Sequence, residues 1–365
     1  MSLFVLMAGG TGGHLFPAMA LAQELTRRGH TIHLMTDHRV ASYGAQFPAD
    51  EIHIVPSATP SVRNPVKFVG AGFTILRGMR AARVVLRRLR PAAVVGFGGY
   101  PVFPPFLAAR LLGIPGILHE QNSVMGRANR ALASRATGIA LSFAQTKHAA
   151  PFAEKSTVTG NPVRDNVRAV AGTPYPALAE GGEISLVVFA GSQGARAFSD
   201  FVPAAILALD ESLRRRLRVT QQVRPEDLER VAAIYREAGI AAELQPFIHD
   251  LPERLARAHL VMARAGASTV ADLTIIGRPA LYVPLPGSID ADQRQNALFV
   301  EAAGGGWIME QATISPPSLA NRLASLLSDP ATLMAAAAAA QALGQPQAVE
   351  QLADLVEAAG KGKTT

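Results

Sequence analysis

Apolar and polar positions along the chain fall into two alternating textures. Short apolar runs such as Leu3-Phe4-Val5-Leu6 and Ile184-Ser185-Leu186-Val187-Val188-Phe189 carry few polar positions. Between them lie longer stretches, such as Leu15 to Leu25, with apolar residues at three- and four-residue spacing. The first texture predicts buried parallel strands and the second predicts the helices that cover them. In the first half, strands are expected near 3–7, 31–35, 52–55, 93–97, 115–118 and 138–141, with helices near 15–28, 67–89, 103–112 and 124–134. Such alternation implies a parallel sheet covered on both faces, with ligands at the carboxyl ends of its strands.

From Gly160 to Glu183 the pattern breaks into a Pro/Gly-rich connector containing Pro162, Gly172, Pro174, Pro176, Gly181 and Gly182. After it the chain restarts the same unit, with strands expected near 184–189, 218–221, 242–245, 259–262 and 280–283. Helices are expected near 225–238, 267–276, 291–303 and 316–328, and in an Ala-rich tail that Pro346 breaks in two. The fold class is therefore α/β, with two doubly wound Rossmann-like domains and a cleft between them.

Length supports two cores, since the chain has 365 residues of which 49% are apolar. No apolar run reaches the eighteen residues of a membrane span, and no secretory leader pattern is read. With no cysteine there is no disulfide, no Cys-ligated zinc and no thiol nucleophile, so a bacterial-style cytoplasmic enzyme is expected. Charge divides the chain. Residues 1–160 hold 17 Lys+Arg against 6 Asp+Glu, a net of +11, whereas residues 161–365 hold 18 against 22, a net of −4. The basic half calls for an anionic partner, a phospholipid surface or a phosphorylated substrate. No nucleic acid is expected, because no helix-turn-helix, zinc finger or aromatic-basic RNA pattern occurs.

Candidate chemistry sits where predicted strands end. Gly9-Gly10-Thr11-Gly12-Gly13-His14 joins the first strand to the first helix, placing backbone amides, a helix start and a titratable ring together. Gly96-Phe97-Gly98-Gly99 follows another strand, and is either a second phosphate loop or a plain turn. His119-Glu120-Gln121-Asn122 is polar at a third strand end; Gly191-Ser192-Gln193-Gly194 repeats the opening logic in the second half. Arg264-Ala265-Gly266 leads into Ala267, Ser268, Thr269 and Asp272, small residues on which a ribose or diphosphate can lie. Asp290-Ala291-Asp292 is too common a triplet to assign a metal, and no cofactor is assigned. Between Val66 and Arg90, Phe68, Phe73, Ile75, Leu76 and Met79 alternate with seven basic residues, which suits either an anionic lipid surface or an ordinary solvated helix face.

Together these stretches resemble glycosyltransferase family 28. Specifically, they resemble its inverting enzymes that add N-acetylglucosamine to undecaprenyl-pyrophosphoryl-N-acetylmuramyl-pentapeptide in bacterial peptidoglycan synthesis. Gly9 to His14, Gly98-Gly99-Tyr100, His119 to Asn122, Gly160 to Arg164, Gly191 to Ala195, and Gln293 with Asn296-Ala297 follow in the family's order. The resemblance implies the GT-B architecture. It implies an acceptor and membrane-docking domain over 1–162, a UDP-sugar domain over 163–344, and a C-terminal helix over 345–365 returning to the first domain. It implies UDP-N-acetylglucosamine contacts from Thr11, Gly12, Gly13, Asn122, Arg164, Ser192, Ile248 and Gln293, with Ala267, Ser268, Thr269 and Asp272 near the ribose and diphosphate. Asp272 stands in place of the usual Glu, and Asp292 in place of a common second Gln. The expected partners are the UDP-sugar, the lipid-linked acceptor, an anionic membrane surface and other cell-wall synthesis or division proteins. The expected location is the cytoplasmic side of the inner membrane. For the general base that deprotonates the acceptor's 4-hydroxyl, His14 is the first candidate and Glu120 the second. A UDP-sugar 2-epimerase and a non-catalytic nucleotide-sugar-binding module are the competing functions.

Overall fold

The computed structural model describes residues 1–9, 12–38, 47–58, 65–191 and 194–362, with the side chains of 65–69 and 289 outside the description. Thr11 and Ser192 therefore lie outside the described residues.

Seven parallel strands build the first sheet. They are β1 (Leu3–Met7), β2 (Thr31–Thr36), β3 (Glu51–Ile54), β4 (Ala93–Gly96), β5 (Gly116–Glu120), β6 (Gly138–Leu141) and β7 (Ser156–Val158). Their order is β3-β2-β1-β4-β5-β6-β7. Side-chain alternation explains why both faces are covered. Phe4 and Leu6 of β1 point into one apolar cluster, and Val5 and Met7 into another. The first cluster is completed by Leu15, Leu21 and Leu25 of helix α1 (Gly12–Arg27) and by Leu352, Ala353 and Val356 of the helix Ala348–Lys361. The second is completed by Ala82 and Leu86 of α2 (Pro65–Leu89), Val102, and Phe106 of α3 (Phe103–Leu111). Helix α4 (Arg127–Ala133) follows β5 and adds Leu132 and Ala133.

Six parallel strands build the second sheet: β8 (Ile184–Phe189), β9 (Leu217–Gln222), β10 (Ala241–Gln245), β11 (Leu260–Ala263), β12 (Ala280–Tyr282) and β13 (Gly306–Ile308). Their order is β10-β9-β8-β11-β12-β13, the same right-and-left winding about a first strand. Its core is led by Leu186, Val188, Phe198, Val202, Val219 and Tyr235.

The chain divides into two compact units, Met1–Asp165 with Gln347–Thr365, and Asn166–Pro346. Arg164 thus belongs to the first unit, whereas the family resemblance places it in the second domain. Its neighbour explains why. The Arg27 guanidinium donates to both oxygens of Asp165, each at 2.9 Å, and the Asp165 N–H donates to Gln23 Oε1 at 3.1 Å, so α1 holds this segment. The break at Pro346 falls between the helices Pro330–Ala342 and Ala348–Lys361. Among the described residues, no single helix is long and apolar enough to cross a membrane.

Candidate active site

In the first unit the glycine turn after β1 opens α1, so Gly12, Gly13 and His14 occupy its first turn, where N–H groups lack helical partners. The His14 ring rests on the loop after β4. A Cβ on Gly98 would lie 3.2 Å from His14 Cε1, and one on Gly99 would lie 3.3 Å from His14 Cδ2. Both glycines have positive φ, +84° and +78°. Gly98 and Gly99 are therefore a seat for the His14 ring, a role neither of the two sequence readings of this loop contained. On the other side, His14 Nδ1 lies 3.4 Å from Gln121 Oε1.

The polar run after β5 is buried. His119 is 0%, Glu120 1% and Gln121 1% exposed. His119 Nε2 donates to the Gly160 carbonyl at 3.1 Å, and burial pushes its pKa down to about 4, so the ring is neutral at pH 7. Gln121 Nε2 donates to the Phe97 carbonyl at 3.0 Å and to His119 Nδ1 at 3.0 Å. Glu120 Oε2 accepts from the Gly126 N–H and from Asn129 Nδ2, each at 2.8 Å. Its Oε1 accepts from the Asn122 N–H at 3.0 Å and from Asn122 Nδ2 at 3.4 Å. Burial raises the Glu120 pKa, and these four donors oppose the rise. The carboxylate thus clamps the turn from β5 to α4, and the half-buried Asn122 side chain is folded back onto it. Arg164 lies with its guanidinium 4.0 Å from the centroid of the Phe16 ring on α1.

In the second unit the remaining candidates gather at the carboxyl ends of parallel strands. Ala267, Ser268 and Thr269 form the first turn of the helix Ala267–Ile276 after β11, with Asp272 one turn further. Ser268 Oγ is buried and meets no hydrogen-bond partner among the described residues. Ile248 is 5% exposed in the loop after β10. Gln293, at the start of the helix Asp292–Ala302, accepts from the Leu285 N–H at 3.0 Å and so holds the loop after β12.

Residues 4–141 match the glycosyltransferase family 28 N-terminal domain and residues 185–352 the family's C-terminal domain. The chain belongs to glycosyltransferase family 28. A UDP-N-acetylglucosamine--N-acetylmuramyl-(pentapeptide) pyrophosphoryl-undecaprenol N-acetylglucosamine transferase of Rhizobium leguminosarum bv. trifolii (strain WSM2304) is 51% identical to this family 28 chain, over 99% of it and 96% of the relative. A crystal structure of Acinetobacter baumannii MurG matches with a TM-score of 0.78 and 29% identity, covering 98% of this chain and 100% of that one. A UDP-GlcNAc 2-epimerase of Neisseria meningitidis matches with a TM-score of 0.69 over 98% and 100% of the two chains. At 14% identity that likeness is one of fold alone.

Gln222, which the sequence reading did not name, and Arg264, which it named without a role, position loops of this glycosyltransferase. Gln222 accepts from the Ala190 N–H at 3.0 Å and donates to the Pro246 carbonyl at 3.2 Å, tying the loop after β8 to the loop after β10. Arg264 donates to the carbonyls of Val283 and Pro284, at 3.0 and 3.1 Å, and to Gln311 Oε1 at 2.6 Å. A Gln at the end of a predicted strand is the only trace Gln222 leaves in sequence.

Proposed function

We propose that this chain transfers N-acetylglucosamine from UDP-N-acetylglucosamine to the 4-hydroxyl of undecaprenyl-pyrophosphoryl-N-acetylmuramyl-pentapeptide, with inversion at the anomeric carbon. Membership of family 28 over both units carries this reading. His14 Nε2 takes the proton of the acceptor hydroxyl as its oxygen attacks and the bond to UDP breaks. Glu120 is not proposed as the base, because its oxygens face four donors in a site closed to solvent. It acts instead by holding Asn122 and the turn before α4. Charge developing on the leaving UDP meets the amide groups that open the helix Ala267–Ile276; the contacts from Thr11, Ser192 and Arg164 follow from the family resemblance. Ser268 Oγ, buried without a partner among the described residues, supports a ligand hydroxyl or phosphate oxygen there; Asp272 is assigned to the ribose, Ile248 to the base and Gln293 to the sugar.

An anionic membrane surface is proposed as the site of work, facing one side of α2. Phe73, Leu76 and Val84 are 65%, 63% and 66% exposed. At helical spacing they share a face with Arg77, Arg80, Arg83 and Arg87, also exposed.

The test is transfer of radiolabelled N-acetylglucosamine from its UDP donor to a short-chain analogue of the lipid-linked acceptor, by the purified full chain. Transfer that falls at least a hundredfold in His14→Ala supports the proposal. Binding of the UDP-sugar without transfer overturns it in favour of a binding module, and epimerisation of the free donor favours the epimerase.

A further inference from the structure

We infer that Gln121 is a positioning residue that fixes the tautomer of His14, placing the proton on Nδ1 and the lone pair on Nε2. The inference rests on the assignment of His14 as general base.

Two backbone carbonyls determine the whole arrangement. The Phe97 carbonyl and the His119 carbonyl lie 3.0 and 3.2 Å from one end of the Gln121 amide. A carbonyl only accepts, so that end is the NH₂ group and the opposite end is the oxygen. Independently, the Gly160 carbonyl lies 3.1 Å from His119 Nε2, which must therefore carry that ring's proton. A neutral imidazole has one N–H, so His119 Nδ1 is an acceptor, and it too faces the Gln121 NH₂ at 3.0 Å. Turning the amide over would set its oxygen against three acceptors at once. At 1% exposure, Gln121 has no water to offset that.

With the amide fixed, Oε1 points at His14 Nδ1 across 3.4 Å. An amide oxygen accepts only, so His14 donates from Nδ1 and keeps its lone pair on Nε2. The seat fixes the ring's direction as well. A Cβ on Gly99 would lie 3.4 Å from Nε2, and one on Gly98 3.4 Å from Nδ1, so the ring's two edges lie on two glycines. The order Gly160 carbonyl, His119, Gln121, His14 thus runs from a buried backbone group to the catalytic nitrogen, with every proton assigned. It gives the neutral ring the one form that can accept from a hydroxyl at Nε2.

The experiment labels histidine with ¹⁵N in the full chain and reads the ring shifts near neutral pH, with His14→Gln assigning the His14 signals. The expected result is an Nδ1–H tautomer in the natural sequence and a mixture of both tautomers in Gln121→Leu. The variant's kcat is expected to fall about twofold to tenfold, as the Nε2–H fraction cannot accept. Its KM for the UDP-sugar is expected to stay within about twofold, since Gln121 acts through His14. The acidic limb of its pH–rate profile moves to lower pH, because an acceptor that favoured the charged ring is gone. An Nε2–H tautomer in the natural sequence overturns the inference even if the variant does not fold. So does an unchanged tautomer and kcat in Gln121→Leu. A normal kcat in His14→Ala, with the tautomer as inferred, overturns the base assignment and leaves the Gln121 geometry standing.

Discussion

His33 Nδ1 faces His53 Nε2 across 2.9 Å, and the 5.2 Å between their ring centroids places both nitrogens on the line joining the rings. That is the geometry of one shared proton in an N–H···N bond. The pair sits on neighbouring strands β2 and β3, with the Glu51 carboxylate 3.7 Å from His33 Nδ1 and 3.6 Å from His53 Nδ1, and with Arg88 3.5 Å from that carboxylate. These three side chains are also of metal-ligand type. Two nitrogens on one tetrahedral zinc stand about 3.3 Å apart with both lone pairs aimed at the ion, so the observed line favours the hydrogen bond.

Acid is expected to destabilise the fold through these rings. Burial lowers the His53 pKa below 6.5, helped by His33 and Arg88 and opposed by Glu51. Burial likewise takes His119 from 6.5 to about 4. Both groups bind protons more readily in the unfolded chain, so stability is complete above pH 6.5 and falls toward pH 4. A fall from 6.5 to 4 at His119 corresponds to on the order of 3 kcal/mol. Urea unfolding at pH 7.5, 6 and 5 measures the slope, and His53→Asn should flatten it. A stability independent of pH over this range contradicts the account.

Arg278 is expected to be the most sensitive residue of the second unit. It is 1% exposed, and its guanidinium donates to the carbonyls of Leu255, Ala256, Thr173, Pro174, Ile276 and Gly277 between 2.5 and 3.1 Å. Thr173 and Pro174 belong to the irregular connector, so this one side chain fastens it to the core. Arg278→Met removes five donors from six acceptors and should cost about 3–5 kcal/mol in denaturant unfolding. A loss under about 1 kcal/mol would show that water replaces the guanidinium.

The seat under His14 predicts that Gly98→Ala and Gly99→Ala each lower kcat at least tenfold. The added methyl meets the ring at 3.2–3.3 Å while the backbone holds a positive φ. Gly72→Ala is the control, because its Cβ meets nothing within 4 Å and α2 gains helix propensity. Transfer rates measured beside thermal melts separate a displaced ring from an unfolded domain.

If α2 meets an anionic surface, Phe73→Ser with Leu76→Ser should cut cosedimentation with phosphatidylglycerol vesicles severalfold. Arg80→Gln with Arg83→Gln should weaken binding chiefly at low salt. Transfer to a short-chain acceptor in detergent should be unchanged in both. Equal binding to neutral vesicles contradicts the charge half of this argument.

Much of the fold was legible because both faces of the central strands are buried. Phe4, Val5, Leu6 and Met7 leave no doubt of a core strand, and the same texture at Leu186 to Phe189 announces the second sheet. One edge of each sheet was not legible. Ser156–Val158 and Gly306–Ile308 are three-residue strands, too short for any periodicity, and Thr157 and Val158 are exposed. At the candidate site, the glycine turns and His14 stood out by composition. What sequence could not show was that Glu120 spends its oxygens on Asn122, Gly126 and Asn129, or that Gln121 reaches back to Phe97. The first depends on how the chain turns from β5 into α4 and the second on how β4 and β5 lie side by side, and no periodicity encodes either.

The helix Ala348–Lys361 gives the protein an order of assembly. Its Leu352, Ala353 and Val356 share a cluster with Phe4, Leu6 and Leu21 near the start of the chain. During synthesis, residues 1–165 are made before the whole of the unit Asn166–Pro346, and one flank of their sheet lacks its cover until the helix Ala348–Lys361 follows that unit. The intervening unit is contiguous and can fold meanwhile. The part made first is therefore finished last, and a chain stalled near Pro346 exposes the apolar face that the final helix exists to cover.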